Sequence, residues 1–184
     1  MRARWCCKGG LAGVLATVLA FPGVARAFER QQHAGLSAGA MGFSPNGGGT
    51  TFGPNLGLHY SYGVSDAFTI AVEADASGFA LGTAPKNPPP QPTFVATGGV
   101  GLFYVFDVLR WVPYAGGLAG AGYFGGGYLS KGVVAFDVQL AAGLDYQLTR
   151  SWTVGAAYRQ HFFVTETSTF GEAVSLRFEY VWGW

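Results

Sequence analysis

Charge is the scarcest property of this sequence. Only 11% of its 184 residues are Asp, Glu, Lys or Arg, against about 25% in an ordinary soluble domain. A soluble protein stays dispersed through its surface charge, so this composition points to another solvent. Long apolar runs are missing too. No stretch of 18 or more apolar residues occurs, whereas a membrane-spanning helix needs about 20. With such helices excluded, the remaining way to cross a bilayer with every backbone group bonded is a closed β-barrel. Cysteine is confined to Cys6 and Cys7. Neither follows an apolar run, as a lipid-attachment cysteine would.

Those cysteines fall in a segment that reads as a secretory signal. Arg2, Arg4 and Lys8 form a positive start, Leu11 to Phe21 an apolar stretch, and Ala25-Arg26-Ala27 a small-x-small cleavage site. Residues 1–27 are therefore expected to be a signal peptide cleaved after Ala27, with the mature chain 28–184 beginning at Phe28. That chain holds no cysteine, hence no disulfide framework and no thiol nucleophile. It keeps 7 basic and 10 acidic residues, a net charge of −3. The sign is wrong for a nucleic-acid binder, and export makes that partner less apt still.

What is abundant fits the barrel: 16% aromatics, 30 glycines, and a period-two alternation that recurs from end to end. Eight segments stand out, near 33–43, 54–64, 68–80, 93–106, 111–124, 133–146, 152–164 and 173–184. A tilted transmembrane strand needs about 9–11 residues. Short links (Ser65 to Ala67, Asp107 to Arg110, Gln147 to Ser151) alternate with longer ones (Ser44 to Gly49, Gly82 to Pro92, Gly125 to Gly132, Thr165 to Glu172). A meander with short periplasmic turns and longer outer loops has this rhythm. The expected fold is all-β, an eight-stranded antiparallel up-and-down transmembrane barrel.

Two faces can be told apart. Phe136, Val138, Leu140, Ala142, Leu144 and Tyr146 oppose Asp137, Gln139, Ala141, Gly143 and Asp145. Leu56, Leu58, Tyr60, Tyr62 and Val64 oppose Asn55, Gly57, His59, Ser61 and Gly63. Eight strands leave an interior just wide enough for side chains to fill, so the bulky apolar face is assigned to lipid and the small or polar face to the lumen. Tyr62, Phe68, Tyr104, Phe106, Trp111, Tyr146, Trp152, Trp182 and Trp184 fall near one height at the short-turn end, as an aromatic girdle does. Phe43, Phe79, Phe94, Phe124 and Phe163 mark the other end.

The chain finishes Phe178-Glu-Tyr180-Val-Trp182-Gly-Trp184, with an aromatic at every second residue. This ending resembles the C-terminal signal of outer-membrane β-barrels, although most of those end in phenylalanine. With the eight segments, residues 28–184 resemble the small barrels of the OmpA/OmpX type. The resemblance implies a location in the cell outer membrane and contact with its lipids, lipopolysaccharide included. It also implies insertion by the outer-membrane assembly machinery through the C-terminal strand, and a monomer.

No catalytic, cofactor-binding or metal-ligating set is assigned, and no cofactor is expected. Gly120-Ala-Gly122-Tyr-Phe-Gly125 has dinucleotide-binding spacing but no helix to follow it, so it reads as a glycine-rich strand. His33, His59 and His161 stand on different strands without carboxylates at a ligand spacing. Lipid A deacylases of this architecture use a His-x-Ser pair, and here His161 is followed at that position by Phe163. Parity turns Glu73, Asp75, Asp137, Asp145, Arg159, Arg177 and Glu179 inward, with His59 and Gln139. Buried charge needs partners, so these form either a plug of ion pairs or a narrow polar path. Counting from Trp152 and Trp184 places Arg159 and Arg177 at one level, with Glu179 between them and Asp137 or Glu73 reaching in. The expected role is structural or surface-interacting with a plugged interior; a narrow channel and a lipid-modifying enzyme are the alternatives.

Overall fold

The computed structural model describes residues 30–45, 49–81, 91–106, 110–164 and 169–183. The signal and its cleavage site, residues 107–109 of the second short turn, most of the proline-rich link and Trp184 lie outside these residues. Eight strands follow one another: β1 (Gln32–Ser44), β2 (Thr51–Gly63), β3 (Phe68–Gly78), β4 (Phe94–Val105), β5 (Trp111–Gly125), β6 (Val133–Gln147), β7 (Trp152–Val164) and β8 (Thr169–Trp182). Each pairs antiparallel with its neighbours in chain order, and β8 returns to β1, so the barrel closes. Closure leaves no unpaired sheet edge, which lipid could not satisfy.

Local chemistry sets the turns. The Val64 and Ser65 amides both donate to the Phe68 carbonyl, and the Ser65 hydroxyl accepts from the Phe68 amide. The turn before β7 repeats the scheme, with the Leu148 and Thr149 amides on the Trp152 carbonyl. Gly126 and Gly127, opening the link from β5 to β6, adopt φ of 69° and 66°, a left-handed region open to glycine at little cost. Pro113 closes the β4–β5 ladder, its carbonyl accepting from the Phe106 amide. The pairing of those two strands ends at Val105 and Tyr114, so the missing proline donor interrupts nothing.

β8 is longer than the sequence pattern suggests. It starts at Thr169, inside what reads as a loop, because Thr169 and Gly171 turn inward and Phe170 outward. These residues pair with Phe163 and His161 on β7 and extend the ladder with β1 to Ser44.

The two faces are arranged as the alternation indicates. Leu56, Leu58, Phe136, Leu140, Val174, Leu176 and Phe178 are exposed on the outside. The glycine-rich stretch Gly120 to Gly125 is barrel strand, within β5. At the short-turn end aromatic rings meet across strands: Phe68 with Tyr104 at 5.2 Å, Trp111 with Tyr146 at 4.7 Å, Trp152 with Tyr180 at 5.0 Å and Tyr60 with Trp182 at 6.3 Å.

Candidate functional site

The lumen is filled in layers. Glu73, Asp75, Asp137, Asp145, Arg159, Arg177, Glu179, His59 and Gln139 all turn inward and are buried. Two strands carry the network's poles. β3 supplies Glu73 and Asp75, and both bind Arg159 of β7, at 2.7 Å and 2.6 Å. β8 supplies Arg177 and Glu179, which pair with each other.

Glu179 gathers more partners from the far side of the seam. His59 Nε2 lies 2.7 Å from Oε1 and His33 Nδ1 3.1 Å from Oε2. Arg177 also donates to the Tyr114 hydroxyl, and its guanidinium carbon stands 4.8 Å from the centre of that ring. Higher in the barrel, Asp137 accepts from Gln139 Nε2 at 2.7 Å and faces His161 Nδ1 at 2.9 Å. A guanidinium offers several donors in a fixed fork and cannot lose its charge, which suits it to hold two carboxylates in the buried interior.

The expected placement of Glu179 between the two arginines is not found. Arg159 has its own pair of carboxylates, and Asp137 serves His161 and Gln139 instead. Glu73 does reach in from another strand, to Arg159. The cause is the register. Trp152 pairs with Tyr180, not with Trp184, so counting upward from Trp184 misplaces β8 by four residues. Arg177 therefore sits opposite Gly155, and Arg159 opposite Ala173.

A second correction concerns the phenylalanines. Phe43, Phe79, Phe124 and Phe163 do lie at the long-loop end, but they point inward. With Met41, Val95, Ala135 and Ala173 they form a buried apolar cluster. Phe43 lies 5.9 Å from Phe79 and 5.5 Å from Phe124, and Phe124 meets Phe163 edge-on at 4.8 Å and 84°. Of the five, only Phe94 is exposed. Large rings fit because their neighbours are small: a Cβ on Gly122 would stand 2.8 Å from the Phe163 ring, and one on Gly171 3.2 Å. Parity alone carried the signal, since Phe163 shares its face with Arg159 and His161.

The same device seats the polar layers. A Cβ on Gly35 would come within 2.6 Å of His59 Nε2. His161 lies in the interior beneath the outer rim, its ring stacked on Phe163 at 5.5 Å and 14°. Two of the three histidines converge on Glu179, and none of the described residues forms a group of three His, Cys, Asp or Glu spaced to hold a metal. Tyr114, a partner of Arg177, went unnoticed in the sequence because its face is otherwise apolar or small.

Glu179→Ala is expected to cost about 3–5 kcal/mol, the range for removing one partner of a buried ion pair. The loss leaves Arg177 without its carboxylate and takes one partner from each of His33 and His59. Urea unfolding in lipid vesicles measures it; a change below about 1 kcal/mol would mean that water screens the site.

No family model matches the chain, and no curated protein matches its sequence. Solved structures do match its backbone. Neisserial surface protein A is 15% identical with a TM-score of 0.66, over 81% of this chain and 96% of that one. The attachment invasion locus protein Ail of Yersinia pestis is 14% identical with a TM-score of 0.59, over 84% and 99%. The outer membrane protein OprG of Pseudomonas aeruginosa is 10% identical with a TM-score of 0.56, over 87% and 100%. At such identities the likeness is one of fold. In strand number and closure, this chain has the eight-stranded antiparallel β-barrel fold of these small outer-membrane proteins.

Proposed function

We propose that the protein resides in the outer membrane, with its signal removed after Ala27, as a monomeric plugged barrel with a structural or surface-interaction role. The observation that carries this reading is the interior filled with side chains. An apolar cluster of four phenylalanines caps the long-loop end, and ion pairs fill the lumen beneath it. The exposed apolar rows on the outside favour lipid as the surrounding solvent, with lipopolysaccharide in the outer leaflet. The aromatic end of β8, continued by Trp184, is proposed to engage the outer-membrane assembly machinery. A surface role accords with the surface and attachment proteins whose folds are similar. It would be exercised through the longer connections. A lipid-modifying activity has little to stand on, since His161 is bound to Asp137 inside the barrel and stacked on Phe163.

Planar-bilayer recording on the purified protein tests the seal. The wild type is expected to pass no steady current. Phe43→Ala with Phe163→Ala removes two of the four rings of the cap and is expected to produce small conductance events. Steady wild-type conductance would promote the channel reading over the plug.

A further inference from the structure

Among the described residues, the outward faces of the eight strands carry a single charged side chain, Glu172 of β8. Its height on the wall is set by register. Climbing the β7–β8 seam, Trp152 pairs with Tyr180 in the lower girdle, Gln160 with Glu172, and Phe162 with Phe170 above them. The two phenylalanine rings meet edge-on at 5.9 Å and 85°. Glu172 lies eight residues along β8 from Tyr180. At about 3.3 Å per residue on strands tilted by roughly 35–45°, that is about 20 Å above the girdle. An outer-membrane barrel has an apolar band about 25 Å tall, so Glu172 falls within its upper part. A carboxylate held against lipid is costly until a partner meets it, and an ionisable side chain at such a depth points to a function.

The surroundings say what that partner must bring. Tyr158 donates its hydroxyl hydrogen to Gln160 Oε1 at 2.8 Å, and Gln160 Nε2 donates to the Gly171 carbonyl at 3.1 Å. Those bonds pin the Gln160 amide to the wall beside Glu172. No hydrogen bond or ion pair among the described residues reaches Glu172 itself. The pair therefore presents mainly acceptors: two carboxylate oxygens and the second lone pair of Gln160 Oε1. A second copy of the chain brings no cation to this level, since its outward strand faces hold no other charge. Phospholipid chains carry no donor at this depth. Lipopolysaccharide chains do, with amide N–H and hydroxyl groups on their first few carbons, beneath the sugar.

We infer that Glu172 and Gln160 form an acceptor site on the outer wall for the amide and hydroxyl donors of a lipopolysaccharide acyl chain. Phe162 and Phe170 stand between this site and the head-group level, so the anionic phosphates lie above the rings and away from the carboxylate. The inference rests on the outer-membrane location proposed above and names the lipid group that one part of the wall recognises.

The test titrates lipid A, which keeps the hydroxyacyl amides, against the full barrel folded in detergent. Phosphatidylglycerol, also anionic but without chain donors, is titrated beside it. The wild type is expected to prefer lipid A. Glu172→Leu, which suits a lipid-facing wall and should fold at least as well, is expected to lose about tenfold in lipid A affinity, the scale of one hydrogen bond to a charged group. Gln160→Leu should lose less, and neither variant should bind phosphatidylglycerol more weakly. Head-group electrostatics alone predicts the reverse: removing a like charge would tighten lipid A binding. Tighter or unchanged binding of lipid A to Glu172→Leu overturns the proposal, as does an equal loss for both lipids. Insertion into phosphatidylcholine vesicles separates the two levels of failure. A wild type that stays outside them would sink the membrane reading itself, whereas insertion without a lipid A preference sinks this site alone.

Discussion

Arg159→Ala is expected to be the most damaging single substitution in the lumen, lowering stability by about 3–5 kcal/mol or more. Glu73 and Asp75 stand two residues apart on the same face of β3, and Arg159 is the cation that binds both. Truncation leaves two like charges side by side without a counterion, rather than one orphan as in Glu179→Ala. Replacing all three groups should be far milder. In Arg159→Met with Glu73→Leu and Asp75→Ala, no charge is left to desolvate, and an apolar replacement of a buried ion pair is often neutral. Urea unfolding of the single and triple variants in vesicles, followed by tryptophan fluorescence, measures both. If Arg159→Ala proved nearly neutral, the lumen would be water-filled at that level and the plug would lose its main support. If the triple variant were as damaged as the single one, packing rather than charge would be the cause.

The second large effect contrasts neighbours on β6. Leu140 is the middle residue of the strand and 56% exposed on the outside, whereas Gln139 is inside and 2% exposed. Arginine at a lipid-facing midplane position costs about 2–4 kcal/mol, so Leu140→Arg should sharply reduce the yield of folded barrel in vesicles. Gln139→Ala removes one donor to Asp137, which keeps His161 at 2.9 Å. The expected loss is about 1–2 kcal/mol. Folding yield and urea midpoints of the two variants rank them. The reverse order, Gln139→Ala the worse, would contradict lipid on the outside of the barrel.

Much of this architecture was legible in the chain itself because the signals are local. Side-chain parity is fixed by the pleat, so Asp137, Gln139 and Asp145 had to share a face opposite Leu140. Ser65 and the Leu148 to Ser151 turn end strands through their own backbone chemistry. Even the inward phenylalanines obeyed parity and marked their end of the barrel; what the chain did not display was the room for large rings inside. Gly122 and Gly171, on other strands, make their room.

The partners of the interior charges could not be read in the same way. Arg159 on β7 meets Glu73 and Asp75 on β3, and Glu179 on β8 meets His59 on β2 and His33 on β1. Which inward groups share a level depends on register and on the stagger that closing a tilted barrel imposes. No local pattern encodes that stagger; a shift of two or four residues between strands exchanges every partner while leaving both faces intact. The sequence by itself determined the number of strands, their faces and the aromatic girdle. Only the closed tertiary structure decided how the charges pair and that the phenylalanines cap one end.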